Sequence, residues 1–299
     1  MVATHVRAPL EPPAVPASIE EASRFCVTLA RSHDENFTVL SRLAPREMRR
    51  HLAILYAYCR TVDDLGDEAP GDRLALLDRF EDELDAAFTS QARHPVLVAL
   101  QETIARFDLP REPFAKLIEA NRIDQRRRSF ATFGELCRYC EHSANPVGRL
   151  VLMLYGHRDD ERFSLSDATC TALQLANFWQ DVKADAAVGR VYLPEDEMAE
   201  YGIARSDLRA ARASAGLKDL MRFQVERARS YFRAGLPLID RVRGHLRVDL
   251  ALFSLGGLAI LRKIERQGYD TLSRRPSLSR PEKVGLALQA LFSNRWRRI

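Results

Sequence analysis

Apolar residues recur three and four positions apart along most of this chain, the spacing of one face of a helix. No stretch alternates apolar and polar residues in the manner of a strand with hairpin turns. Ser18-Ile19-Glu20-Glu21 is a capping-box pattern and predicts a helix from there to about Ser32. Pro45 opens a second helix that runs through Tyr56 to Asp67. Further periodic segments cover about 71–88, 94–107 and 111–128. Thr132-Phe133-Gly134-Glu135 is another capping box, and the helix it opens is interrupted near Asn145-Pro146. A long helix then starts near Ser164 or Ser166, with later ones at about 216–234, 236–244, 248–267 and 280–293. Linkers are short and none is rich in Gly and Ser. The expectation is an all-α, single-domain helical bundle over residues 18–299, preceded by a disordered tail, 1–17.

Two of these helices carry chemistry. Tyr56, Arg60, Asp63 and Asp67 fall on one helical stripe, and Gln174, Asn177, Asp181 and Asp185 fall on another. The first stripe continues Leu52 and Cys59, so its carboxylates are expected to extend an apolar face. Carboxylate pairs aimed inward repel each other and lose hydration unless cations bind between them. Magnesium bridges one or two carboxylates to substrate phosphates, so the pattern reads as a magnesium-diphosphate site. Arg60 is placed to contact phosphate oxygens, and Asn177 offers a neutral oxygen one turn before Asp181. One Asp-x-x-x-Asp alone is common on solvated helix faces. Two of them, each preceded by a polar partner on its own stripe, carry the reading. After the second motif, Gly189-Arg190-Val191-Tyr192-Leu193-Pro194 marks a loop whose Arg190 and Tyr192 either cap the site or dock the loop.

Composition narrows little: 46% hydrophobic and 29% charged residues describe an ordinary globular chain. The formal charge of +4 suits an anionic substrate or an acidic membrane surface. The apolar run from Leu250 to Leu261 would span roughly 18 Å as helix, too short for a bilayer, and reads as a core helix. Five cysteines without framework spacing favour a reducing, cytoplasmic compartment, with a peripheral position on the inner membrane face compatible. Cys137-x-x-Cys140 has no second pair to complete a zinc site and reads as small residues in a helix. Arg126-Arg127-Arg128 and Arg295, Arg297 and Arg298 read as solvated faces or membrane-surface contacts rather than a nucleic-acid site.

At these residues the chain resembles the squalene/phytoene synthase family. The resemblance is carried by Tyr56-x-x-x-Arg60-x-x-Asp63-Asp64-x-x-Asp67, by Tyr139-Cys140 through Val147-Gly148, by Gln174-x-x-Asn177-x-x-x-Asp181-x-x-x-Asp185, and by Gly189-Arg190-x-Tyr192-x-Pro194. It implies the isoprenoid synthase fold and a hydrophobic tunnel for farnesyl chains. It also implies several Mg2+ ions held by Asp63, Asp67, Asn177, Asp181 and Asp185. His33, Asn36, Arg60, Asp64, Arg190 and Tyr192 would meet the substrate, while Tyr56, Asn145 and Gln174 would act in the reaction cavity.

Glu35-Asn36-Phe37 stands where many members have Lys-Ser-Phe, and Ser143-Ala144-Asn145-Pro146-Val147-Gly148 where they have Ala-Gly-Thr-Val-Gly. These runs resemble the hydroxysqualene synthase branch of the bacterial hopanoid pathway, which implies presqualene diphosphate as substrate, no NADPH, and coupling to neighbouring pathway enzymes. The rivals are a synthase condensing two prenyl diphosphates to presqualene diphosphate, squalene or phytoene, and a non-catalytic helical assembly factor.

Overall fold

The computed structural model describes residues 7–32 and 44–292, and every regular element in them is helical apart from one isolated bridge between Ser129 and Val191. The chain divides into two compact units, residues 1–126 with 149–158 and residues 127–148 with 159–299.

The first unit contains α1 (Ile19–Ser32), α2 (Arg46–Asp67), α3 (Arg73–Phe88), α4 (Pro95–Phe107) and α5 (Glu112–Arg126). The predicted capping box forms: Ser18 Oγ accepts from the Glu21 amide at 3.3 Å, and Glu21 accepts from the Ser18 amide at 3.0 Å. Helix α2 is the axis of the unit, touching α1, α3, α4 and α5. Its apolar run buries Leu52, Ile54, Leu55, Tyr58 and Val62, and Tyr58 donates to the Phe114 carbonyl at 2.9 Å. Residues 7–17 have no helix, and the Pro9 carbonyl accepts from His94 Nε2 at 3.0 Å.

Gly66 lies inside the last turn of α2, where a glycine weakens a helix by roughly 1 kcal/mol relative to alanine. Packing explains it. A Cβ at Gly66 would lie 2.1 Å from Asn121 Oδ1 and 2.8 Å from its Cγ, so α5 reaches α2 only because no side chain is there. At this contact Gln125 Nε2 donates to the Gly66 carbonyl at 2.7 Å.

The second unit contains α6 (Phe133–Ser143), the start of α7 (Asn145–Leu154), α8 (Asp160–Ala187), α9 (Glu195–Glu200), α10 (Ala215–Gly235), α11 (Leu238–Arg241), α12 (Gly244–Arg266) and α13 (Arg280–Phe292). The expected interruption is there, since α6 stops at Ser143 and a new helix begins at Asn145 with Pro146 in its first turn. Helix α8 begins earlier than Ser164, because Asp159 is the N-cap and accepts from the Arg162 amide at 3.0 Å. Asp160 and Glu161 then complement the helix dipole in the first turn. The segment expected at 236–244 shortens to α11, since Val242 is extended and Gly244 has a φ of +63°. Helices α10 and α12 both pack on α8, and a Cβ at Gly257 of α12 would meet Phe232 of α10 at 2.3 Å and Leu173 of α8 at 3.0 Å.

Helix α12 is long and apolar enough to cross a membrane by length and composition, yet one side of it is core, with Leu246, Ala251, Leu255, Leu258 and Leu261 buried. Among them sits Asp249, 5% exposed, whose Oδ1 has no hydrogen-bond partner. Burial pushes its carboxyl up to about 7.

Two consequences follow from these contacts. Gly66→Ala should lower stability by roughly 1–3 kcal/mol in a thermal melt. Adding Asn121→Ala should recover only part of the loss, because the Asn121 Cβ itself would lie 3.0 Å away. Asp249 ionises near pH 4 in the unfolded chain but near pH 7 when folded, so the folded state holds its proton longer. Stability should therefore fall as pH rises from about 4 to about 7, by at most about 4 kcal/mol. Urea midpoints measured from pH 4 to 8 should show this decline in the natural chain and a flatter profile in Asp249→Asn.

Candidate functional site

Helix α2 presents the first acidic motif at its C-terminal end. Along the stripe, Tyr56 is buried, Arg60 is half-buried, and Asp63 and Asp67 are exposed. The apolar stripe therefore ends one turn before the carboxylates, which corrects the expectation that they extend it: the other sides of the helix stay buried through Val62 and Leu65, and this one opens to solvent. The buried carboxylate of the motif is Asp64, one residue off the stripe. Arg60 pairs with Asp64 at 2.5 Å and with Glu68 at 2.8 Å, so its guanidinium neutralises acids of its own helix end. Asn121 Nδ2 lies 3.3 Å from Asp63 Oδ1, fixing that carboxylate from α5. Sequence reasoning missed Asn121 and Gln125. The signal was the glycine in the middle of an acidic helical motif, which only a close neighbour explains.

Helix α8 presents the second motif. Gln174, Asp181 and Asp185 are half-buried, and Asn177 is exposed. Asp181 is held by Arg275, whose Nε and Nη2 both donate to its carboxylate, the latter at 2.8 Å. This bond to Asp181 holds the Arg275 guanidinium above its ordinary range, and the Asp185 charge adds to it. The segment carrying Arg275 is strapped to the same helix. Gln180 Nε2 donates to the Pro276 carbonyl at 2.5 Å and Lys183 Nζ to the Leu272 carbonyl at 3.1 Å. Asp270 closes the turn by accepting from the amides of Ala213, Leu272 and Ser273. Arg275 is the site residue that the spacing rules could not find, because its link to Asp181 is made only by the fold.

The loop after α8 begins with Gly189 at a φ of +82° and is pinned where the Val191 amide donates to the Arg128 carbonyl at 2.8 Å. The Tyr192 ring is buried and stacks on Phe178 with centroids 3.9 Å apart, beside Phe130 and Tyr139, so it docks the loop. Arg190 is half-buried and its amide donates to the Asp185 carbonyl at 2.8 Å. Asn145 is 7% exposed, and its Oδ1 accepts from the Thr171 hydroxyl at 3.1 Å, one turn before Gln174.

Each unit thus gathers its own share of the predicted residues: Tyr56, Arg60, Asp63, Asp64 and Asp67 in the first, and Asn145, Gln174, Asn177, Asp181, Asp185, Arg190 and Tyr192 in the second. His33 and Asn36 lie outside the described residues. Among the described residues no group of three or more His, Cys, Asp or Glu side chains could hold a metal ion by itself. Asp63, Asp67, Asp181 and Asp185 are oxygen donors at least partly open to solvent, the donor type that a hard divalent cation takes together with water and phosphate. The set does not fit a closed zinc cage. The cysteines are free, and burial raises the thiols of Cys26 and Cys170 to about 12 and that of Cys140 further still, which makes them packing groups.

The family description squalene/phytoene synthase matches residues 30–282. Phytoene synthase of Mycobacterium tuberculosis is 34% identical over 284 residues, covering 92% of each chain. Phytoene synthase of Arthrospira platensis is 30% identical over 275 residues, covering 87% of this chain and 89% of its own. Among solved structures, squalene synthase HpnC from Alicyclobacillus acidocaldarius superposes with a TM-score of 0.81 at 49% identity, over 85% of this chain and 97% of that one. A dehydrosqualene synthase, 23% identical, shares the fold with a TM-score of 0.84 over 91% and 96% of the two chains. With that match running through both acidic helices, the chain belongs to the squalene/phytoene synthase family and has its all-α isoprenoid synthase fold.

Proposed function

We propose that this protein is a hydroxysqualene synthase that converts presqualene diphosphate and water to hydroxysqualene and diphosphate. The observation that carries the C30 assignment is the 49% identity to a squalene synthase over nearly the whole of that protein. The hydroxylating step rests on Asn145-Pro146, which replace the Gly-Thr of many relatives. Pro146 begins a new helix and leaves a buried carboxamide at Asn145. With its oxygen taken by the Thr171 hydroxyl, that carboxamide has its NH2 group left to orient a water.

In this reading Asp63, Asp67, Asn177, Asp181 and Asp185 hold Mg2+. The metal supplies positive charge that stabilises the departing diphosphate. Arg60 and Arg190 bind phosphate oxygens together with His33 and Asn36, and Asp64 holds Arg60 in place for that task. Tyr56 and Gln174 act on the cation as it rearranges, and Tyr192 anchors the Arg190 loop. The C–O bond to diphosphate breaks, a C–O bond to water forms, and the water proton leaves with the solvent or diphosphate. No redox change occurs, so NADPH is not needed. The phytoene synthase relatives favour a second reading, condensation of two prenyl diphosphates.

Incubation with presqualene diphosphate and Mg2+, without NADPH, should yield a C30 alcohol detectable by mass spectrometry. Asp181→Ala should lower its rate by roughly 10²–10³-fold. Presqualene diphosphate formed from farnesyl diphosphate, or phytoene from geranylgeranyl diphosphate, with no alcohol from presqualene diphosphate, would leave the condensing reading instead.

The bond between Arg275 and Asp181 competes with metal, and an exposed ion pair of this kind is worth up to about 1 kcal/mol. Arg275→Gln should therefore bind Mn2+ roughly two- to fivefold more tightly without substrate in an electron paramagnetic resonance titration. Asp181→Asn should bind it more weakly.

A further inference from the structure

The C-terminal end of α2 runs against helix electrostatics. Asp63, Asp64, Asp67 and Glu68 gather there, where the helix dipole is already negative, and the last turn holds no basic residue. Arg60, one turn earlier, supplies one balancing charge. The other comes from far outside the helix. Arg7 pairs with Glu68 across 61 positions of sequence.

A brace formed by residues 7–17 delivers Arg7 to that end. It has no helix and lies against α3 and the start of α4. Glu11 pairs with Arg79 at 3.4 Å, and the Pro9 carbonyl accepts from His94 Nε2 at 3.0 Å. His94 is 1% exposed and stands edge-on to Phe80, with ring centroids 5.1 Å apart. Burial holds its imidazole down at about 4, so the ring is neutral and its one proton is the one that Pro9 accepts. The anchor is therefore uncharged, buried and only two residues from Arg7. The family description begins to match at residue 30, so the brace lies outside what it covers.

Glu68 has one arginine on each carboxylate oxygen. Its Oε1 accepts from Arg60 at 2.8 Å and its Oε2 from Arg7. Two guanidinium groups converging on one oxyanion form an arrangement that suits phosphate, which offers more charge and more acceptor oxygens than a carboxylate. Arg7 and Glu68 are exposed and Arg60 is half-buried, so the pairing is open to a ligand from solvent.

We propose that Arg7 is a further diphosphate-binding residue, carried to the first acidic motif by the brace. Glu68 stands in the place of a phosphate group between Arg7 and Arg60, and diphosphate displaces it. The proposal rests on reading the acidic motifs as a diphosphate site, and it holds for water capture and for condensation alike.

The test is isothermal titration calorimetry of the full chain with inorganic diphosphate in excess Mg2+. Arg7→Gln should weaken diphosphate binding by roughly three- to tenfold, through loss of one charge-assisted contact. Glu68→Gln should strengthen it by roughly two- to fivefold, because the competing carboxylate is gone. The opposite signs are the signature: both variants lose the same ion pair, and a purely structural role would move them together. Both should keep the circular dichroism spectrum of the natural chain. An Arg7→Gln variant with unchanged affinity overturns the proposal and leaves the diphosphate site standing without Arg7. A Glu68→Gln variant that loses affinity also overturns it and makes the pair a structural tie. A natural chain that takes up no diphosphate overturns the site reading itself.

Discussion

Each acidic motif of this protein is held by a guanidinium: Arg60 sits against Asp64 and Glu68, and Arg275 grips Asp181 with two donors. The constraint behind both is the same. Carboxylates gathered on one side of a helix repel one another, and the fold must hold them together all the same. Exposure to solvent lowers the cost for Asp63 and Asp67 at the end of α2. An arginine lowers it for Asp181. Arg275 is more than half exposed, so solvent screens the pair, and it still ties a strap of backbone to the second motif.

The strap gives that pair its reach. Leu272, Arg275 and Pro276 are bound to three residues within one turn of α8, and Asp270 fixes the turn that delivers them. The second acidic motif is thus built from two distant stretches of sequence, and its charge state is tied to the placement of a loop. On the first motif Gly66 has a parallel role. By letting α5 approach, it brings Asn121 to Asp63 without any charge at all.

Local rules recovered what is local. The Ser18 capping box, the Thr132 N-cap and the break at Asn145-Pro146 all depend on residues within a few positions of one another. Helix α8 was placed too late because Ser164 and Ser166 resemble caps, while the true cap, Asp159, is followed by acids that read as ordinary surface. The stripes themselves are readable from spacing, but their burial is not, since a periodicity does not say which side of a helix faces the core at each turn. Arg275 and Asn121 act across 94 and 58 positions, and no pattern in one chain connects such residues. For Tyr192 the sequence leaves two roles open, and the ring stack on Phe178 supplies the contact that docking needs.

Two features depart from what stability alone would select, and they differ in kind. Asp249 is a carboxyl in an apolar helix side with no neighbouring charge to offset it, and the structure gives no reason for its presence. The outer face of α13 is a different case: Val284, Leu288, Leu291 and Phe292 are exposed together on one helical side, and a cluster of this kind raises the risk of association in water in a way that single exposed apolar residues do not.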